Sequence, residues 1–531
     1  MKRFYLPVAV FVATWTILAV TAPGIPLVWD EQQYQGRAQY ILDWFTREPA
    51  PFSRAGIRSH WLFIDQFEGH PAGFAIVIAI GKWLAGSLTD PLTAARLGPI
   101  TLFSVACAVV AVRLKKDCGT AAAIAAPLLL VTFPRLFSEA HFATQDGQLT
   151  AWWLMLWTVQ SSFSSSATTR GAIKLGVVLG LTTATKFSGW LAWGPVIASQ
   201  LIQRNVVALR KLLIVIPVAL AVFCLLNPPL WHDPVAGFRE HFYRNFSRST
   251  VPDVPTLFLG HRYDVEHSLP WYNTVVWLAF VSPMPTLVLG IVGLWRLLSR
   301  PTVWSMTLVL HWATMMVVRA LPGAPPHDGV RLFLPALGFW CVVAAIGTQS
   351  VATAIAAVRS TPARWVMRSA LAAVLLSGAV TVGRYYPQTL SHYSLVAGGL
   401  RGAAEKGMEP AYWWDGLDSE TLRWLNNSTS PGEAIAFSLI YDLNLLRDWG
   451  RLPRPTVDPE QAPFKWYVLQ NRPGMFSDLD RLLMNGEKPA FVKFAGRNRD
   501  PEHVPGDLNV PLISVFSFEQ YQRARKMLNG R

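Results

Sequence analysis

Cysteine and charge are both scarce in this sequence. The four cysteines in 531 residues, Cys107, Cys118, Cys224 and Cys341, lie in or beside apolar runs and none has CxxC spacing, so neither a disulfide framework nor a zinc site is implied. Charged residues make up only 15% of the chain against 52% hydrophobic, and 23 residues are Trp. That balance is wrong for a soluble domain, where about a quarter of residues are charged. The motifs GxSxG, HExxH and a GxGxxG in a βαβ setting are missing, so soluble hydrolase, protease and nucleotide-sugar readings have no support. The stretch "GLTTATKFS" around Lys186 superficially resembles a phosphate-binding loop, but it lacks the Gly before the Lys and a preceding soluble strand.

What the chain has instead is a series of long uncharged runs, at 4–29, 97–112, 118–134, 147–169, 175–185, 187–203, 212–231, 268–295, 301–318, 332–358 and 369–383. Most approach the roughly 20 residues that a helix needs to span a bilayer, which gives eleven candidate crossings. Basic clusters stand at Lys2/Arg3, Arg113/Lys115/Lys116, Arg170/Lys174, Arg204/Arg210/Lys211, Arg296/Arg300 and Arg359/Arg364/Arg368, in alternate gaps between the runs. This is the positive-inside pattern, so the net charge of +14 reports topology and not nucleic-acid binding. The first run lacks a clear small-residue cleavage site and reads as a retained helix with its N-terminus in the cytoplasm.

The stretch 70–88 is apolar but short and interrupted by Lys82. If it crossed, the Arg113 cluster would fall outside and every later loop would invert. It is therefore expected to be an interfacial or re-entrant helix within the first outer loop. The outer loops are then 23–96, 135–147, a tight turn near Lys186, 232–270 and 319–331. The expected fold is a polytopic α-helical membrane protein of about 11 transmembrane helices over 1–383, followed by an extracytoplasmic α/β domain over 384–531. In that tail the strand-like runs are "AIAFSLI", "KWYVLQ", "AFVKFAG" and "LISVFSF", and "FEQYQRARKML" closes it as a helix.

Ionisable residues gather in the outer loops. Asp30 and Glu31 follow the first crossing, Glu68 and His70 open the interfacial stretch, and Glu139, His141 and Asp146 lie in "SEAHFATQDGQL". Lys186 sits in the turn "TATKFSG", and His327, Asp328 and Arg331 stand at the outer end of a crossing in "PPHDGVRLFLPAL". "NPPLWHDP" leads into an aromatic, basic stretch with Arg239, Arg244 and Arg248, suited to anionic headgroups. Charges at the edge of hydrocarbon are costly enough to be functional candidates. Each also has a bland reading: a solvated helix end for Asp30 and Glu31, an N-cap for Asp146 and snorkelling for Lys186. Chemically, a carboxylate can orient a hydroxyl and accept its proton, while a cation can neutralise a lipid phosphate.

Taken in order, "WDE", "GHPAGF", "AHFATQDGQLTAWWL", "GLTTATKFSGWL", "NPPLWHDP", "LPWYNTVVWLAFVSPMPTLVLGIVGL" and "HDGVRLFLPAL" resemble the membrane-embedded C-type glycosyltransferases. The similarity is to the bacterial branch related to protein O-mannosyltransferases and lipid A aminoarabinose transferases, and it extends to about residue 430. "GHPAGF" departs from the family's HPP-like element by lacking the second Pro, and Glu139 stands seven residues before Asp146.

The resemblance implies a transferase of the bacterial inner membrane that moves a sugar from a polyprenyl phosphate carrier to a protein, lipid or glycan acceptor outside, by a single inverting displacement. It implies Asp30 as the base with Glu31 as support or alternate, and Asp146 orienting the acceptor or the first loop. Lys186 and Arg331 would hold the donor phosphate, with His70, Glu139, His141 and His327 around the substrates. A divalent cation beside the donor is left open. A transporter or lipid flippase is the alternative, opposed by the gathering of charge at one face instead of the midplane.

Overall fold

The computed structural model describes residues 2–61, 69–246, 254–439, 443–497 and 501–530; Glu68 and Arg248 therefore lie outside the described residues. The uncharged runs fold as helices. The first, Lys2–Thr21, stops ahead of Pro23 and Gly24, and a second helix, Trp29–Arg47, begins one residue before Asp30. The helix Pro91–Asp117 starts six residues ahead of the uncharged run at 97–112: the Asp90 carboxylate accepts from the backbone N–H groups of Leu92 and Thr93, and Pro91 takes the first helical position.

Eleven uniform crossings are not what the structure contains. Among the described residues six helices are long and apolar enough to span: Tyr5–Gly24, Pro91–Asp117, Val206–Leu225, Val303–Ala320, Arg331–Ala356 and Thr361–Tyr385. A seventh is counted if Thr120–Thr132 and Pro134–His141, which meet at 75°, form one broken span. Pro134 causes that break, because its ring fixes φ and it has no N–H to continue the ladder. The run 268–295 is likewise split at Ser282–Pro283 into Asn273–Val281 and Met284–Ser299, and 187–203 begins as a 3₁₀ turn before Trp193–Ile202. Thr169–Thr183 is short, and Gln145–Ser166 carries Gln148, Gln160 and several serines. In the Arg331–Ala356 span 89% of the most apolar window is buried against 11% for Thr361–Tyr385, which makes the former the central helix of the bundle and the latter a peripheral one.

The stretch 70–88 forms a short apolar helix, Gly73–Ala85, anchored at its start by Ala72 N–H donating to Asn227 Oδ1 (2.7 Å) and Gly73 N–H to the Ala184 carbonyl (2.8 Å). The aromatic, basic stretch forms the helix Pro234–Phe246, and His241 on its inner face takes a bond from Trp190 Nε1 (3.2 Å) and gives one to the Gly69 carbonyl (2.9 Å).

The loops sort to two ends of the bundle. Residues 113–120, 162–169, 296–305 and 349–353 share one end, joined by Arg113 to Ser162 Oγ (2.8 Å) and Gln349 Oε1 to Ala121 N–H (3.0 Å). A cavity of about 500 Å³ between Asp117, Arg296, Arg300 and Gln349 opens there. The acidic and histidine-bearing loops meet at the other end.

The tail builds a five-stranded sheet, in the order β4-β3-β5-β7-β6, from β3 (Ile435–Phe437), β4 (Thr456–Val457), β5 (Trp466–Gln470), β6 (Phe491–Lys493) and β7 (Ile513–Ser517). β3 is parallel to β4 and β5, while β7 runs antiparallel to β5 and β6. The four strand-like runs of the sequence fall on β3, β5, β6 and β7, although Ile440 of the first lies outside the described residues. Two residues long, β4 leaves no alternation to read. A hairpin of β1 (Thr256–Phe258) and β2 (His261–Tyr263), unforeseen in the sequence, rises from loop 232–270.

The tail is packed down on the helices. Trp414, Leu417, Ile435 and Val515 share one core with Leu27 and Leu92. Each such side chain, fully buried, contributes roughly 1.5–3 kcal/mol. The Glu409 carboxylate ties the parts further, accepting from Leu257 N–H (2.8 Å) in the hairpin and Gly474 N–H (3.1 Å) in the tail.

Candidate active site

Arg331 is the hub of the loop end. Its Nε donates to Asp146 Oδ2 (2.9 Å), its Nη1 to Asp328 Oδ2 (2.8 Å) and its Nη2 to Asp30 Oδ2. Lys186 Nζ takes the other oxygen of Asp146 at 2.5 Å, and Arg472 Nη2 the other oxygen of Asp328 at 3.1 Å. The Trp413 ring lies over the Arg331 guanidinium, 3.8 Å from its centre, an arrangement open to a planar delocalised cation.

Local sequence explains each placement. Asp146 lies in the first turn of Gln145–Ser166, whose N-cap is Thr144. It is therefore no cap, and both its oxygens face cations at a helix end that favours negative charge. Gly147 permits this start: a Cβ there would stand 2.0 Å from the Glu139 carbonyl oxygen, so any larger residue would push the two helix ends apart. Lys186 follows the end of Thr169–Thr183 and is buried. Asp328 and Gly329 are both left-handed (φ +58° and +55°), a pair that makes the tight "HDG" turn, turning the Asp328 carboxylate toward Arg331 three residues later.

Burial alone would oppose ionisation of Asp328, but the charges of Arg472 and Arg331 outweigh it and hold its carboxyl far below the usual range. Burial, and then the charges of Lys186, Arg37 and Arg331, push His70 well below the ordinary histidine value; its ring beside the cluster is neutral. Burial lowers His327 to about 4, so it too is neutral. Glu139 is buried within the field of Asp146, Arg331, Lys186 and Asp30, and its Oε2 has no hydrogen-bond partner among the described residues.

Two of the residues singled out in the sequence are held elsewhere. Glu31 turns away from Asp30 into a fully buried pair with Arg96, whose Nε and Nη2 reach its two oxygens at 2.8 and 2.6 Å. Ala143 N–H (2.8 Å) and Val28 N–H (3.2 Å) donate to the same carboxylate, leaving no lone pair for an acceptor hydroxyl. Arg96 spends its remaining donors on the carbonyls of Ala22, Ile25 and Pro26, so the pair staples the end of the first helix to the start of Pro91–Asp117. Glu31→Gln is expected to lower stability by about 3–5 kcal/mol, the usual consequence of leaving a buried charge uncompensated. An unchanged thermal unfolding midpoint in detergent would refute the staple. His141 is also buried apart from the cluster, bonded to the carbonyls of Phe137 (2.6 Å) and Leu18 (2.9 Å) and to Thr21 Oγ1 (2.8 Å).

Four further residues matter that the sequence did not single out: Arg96, Arg37, Trp413 and Arg472. Arg37 lies buried over the Tyr34 ring, about two turns along the same helix from Asp30. Trp413 stands in the "WWDG" stretch, and Arg472 in "QNRPGM" shows no pattern at all.

Among the described residues no group of three or more His, Cys, Asp or Glu converges as a metal site. The three acids that do meet, Asp30, Asp146 and Asp328, all bond to Arg331, which stands where a shared cation would lie. The donor set does not fit a divalent ion.

No family model and no curated protein matches the sequence. Among solved structures the chain is similar to ArnT from Cupriavidus metallidurans bound to undecaprenyl phosphate, with 14% identity and a TM-score of 0.51 over 96% of this chain and 97% of that one. The apo form of that protein gives 15% identity and 0.49 over 97% and 98%. The Archaeoglobus fulgidus oligosaccharyltransferase in complex with zinc and sulfate gives 11% and 0.39 over 87% and 68%. The last two scores are too low to argue from, and at 14% identity the first is a likeness of fold. This multi-pass chain with its appended sheet thus has the fold of the C-type glycosyltransferases.

Proposed function

We propose that the protein is a membrane glycosyltransferase that takes a sugar from a polyprenyl-phosphate carrier and delivers it to an acceptor hydroxyl at the extracytoplasmic face of the bacterial inner membrane. One observation carries the reading. Of the five acids at or beside the hub, Glu31 (0% exposed), Asp146 (2%), Glu139 (3%) and Asp328 (9%) are closed off, whereas Asp30 keeps 19% exposure while touching Arg331. A partly exposed carboxylate beside the buried Lys186 and the largely covered Arg331 suits an inverting displacement on a phosphate-linked sugar. Arg113, Arg296 and Arg300 of the basic clusters lie at the far end of the bundle, which under the positive-inside rule supports an outward-facing site. The likeness in fold to a protein that binds undecaprenyl phosphate supports the carrier class.

In the proposed reaction the acceptor O–H donates to Asp30, and its oxygen attacks the anomeric carbon from the face opposite the phosphate. The bond between the anomeric carbon and the phosphate oxygen breaks, its electron pair leaves with the polyprenyl phosphate, and Asp30 takes the proton. The leaving phosphate passes from one negative charge toward two, which Lys186 and Arg331 are placed to stabilise in a site shielded from water. Asp146, bonded to both, sets the spacing of the two cations. His70 and His327, both neutral, offer hydrogen bonds near the substrates without adding charge. Glu139 completes the buried wall.

The test is to incubate the purified protein with a panel of polyprenyl phosphate sugars and acceptors and follow release of free polyprenyl phosphate by mass spectrometry. Lys186→Ala is expected to weaken donor binding by about 10- to 100-fold, the value of a charge-assisted bond. Unchanged donor affinity would remove Lys186 from the phosphate. Translocation of the lipid without donor consumption would replace the transferase with a flippase.

A further inference from the structure

The hub is completed by a residue from the sheet region. We infer that Arg472 is a positioning residue for transfer: through Asp328 it sets how firmly Arg331 is held, so that Arg331 can turn to the leaving phosphate. The inference rests on the transferase reading above.

Arg472 is well placed for such a role. It follows β5, the strand paired on both sides by β3 and β7, and is pinned by its own N–H to the Gln470 carbonyl (2.8 Å) and by Asn471 N–H to the Leu512 carbonyl (2.9 Å). Its guanidinium faces the Tyr412 ring, 5.7 Å from the centre, and its side chain is only 7% exposed. A group on so rigid an element holds its partner within narrow limits.

The same region grips Arg331 from a second side. Trp413 covers the guanidinium, and the Trp413 carbonyl accepts from Trp29 N–H (3.2 Å), the residue before Asp30. Trp413 and Trp414 are both left-handed (φ +54° and +63°), a conformation costing on the order of 1–3 kcal/mol at each residue and kept only where the surroundings over-determine it.

Charge decides the consequence. Asp30, Asp146 and Asp328 face Arg331, Lys186 and Arg472, three anions in direct contact with three cations. Asp328 bonds both Arg331 of the helical part and Arg472 of the tail. Without Arg472 it would be a buried charge compensated by Arg331 alone, and at short range in a poorly polarisable interior the attraction is strong. Arg331 would be drawn to Asp328 and withheld from the phosphate as charge develops there. Lys186 does not touch Asp328, so ground-state donor binding would be spared.

The expected result is therefore a split. Arg472→Ala lowers kcat about 10- to 100-fold, less than the roughly 10²–10³-fold that outright removal of a charge-stabilising donor costs, while the donor KM stays within about threefold, as loss of a transition-state interaction requires. Adding Asp328→Asn removes the unbalanced charge and restores most of kcat, which a merely structural loss of packing would not do. Arg472→Lys, keeping the charge without the planar fork, falls between. Binding of undecaprenyl phosphate, measured by thermal shift on each variant, gives a readout apart from turnover: this more highly charged product class should bind less tightly to Arg472→Ala and normally to the double variant. Wild-type kcat in Arg472→Ala, or a loss that Asp328→Asn does not relieve, overturns the inference. If the Ala variant fails to fold, the same comparison is made with Arg472→Gln. Wild-type protein that neither turns over any polyprenyl phosphate sugar nor binds undecaprenyl phosphate would instead sink the transferase reading.

Discussion

Asp30→Asn will abolish transfer, with a loss on the order of 10²–10⁴-fold in kcat, the range for removal of a general base. The amide is nearly the same size and keeps one oxygen for Arg331 Nη2, so the protein should still insert and fold. What it cannot do is take the acceptor's proton. The informative control is its neighbour. Glu31→Gln should damage stability first, because Glu31 is saturated by Arg96 and two backbone N–H groups. Rates measured below the unfolding temperature of each variant, with donor consumption read by mass spectrometry, separate the two effects. Normal transfer by Asp30→Asn would remove the central claim.

Arg331→Ala is the second large effect. It strips one cation from three carboxylates at once, Asp30, Asp146 and Asp328. Removing one partner of a buried pair costs about 3–5 kcal/mol, and loss of a donor aimed at developing charge costs about 10²–10³-fold in rate. Arg331→Lys is expected to rescue stability only in part and rate hardly at all, because an ammonium on a flexible stem cannot span three carboxylates as a planar fork does. Single-turnover rates with saturating donor measure the chemical step; a Lys variant that matches wild type would show that charge alone suffices and that the fork geometry is immaterial.

Much of this site could be read before folding was considered. Asp30, Asp146, Lys186 and Arg331 stand out because charge at the edge of an apolar run is costly, and the structure brings these four into direct contact. Adjacent residues are harder. Asp30 and Glu31 look alike in a string, yet successive helical positions differ by about 100° in direction. That rotation sends one side chain to the hub and the other to Arg96. The "HDG" turn was visible, but its function as the hinge between Arg331 and the tail depends on Arg472, which is 144 residues away.

The sequence by itself determined the local facts: which segments are apolar enough for membrane, which loops share a sign of charge, and which runs of the tail form strands. Each of these follows from the chemistry of neighbours within a few turns. Only the tertiary structure decided that Pro283 breaks a run that composition presents as continuous, that Glu31 and His141 are committed to packing, and that the tail supplies Trp413 and Arg472 to the hub. The reason is that a buried charge is defined by its partner. Asp30 and Arg331 lie 301 residues apart, and no local pattern carries information about which distant group will neutralise which.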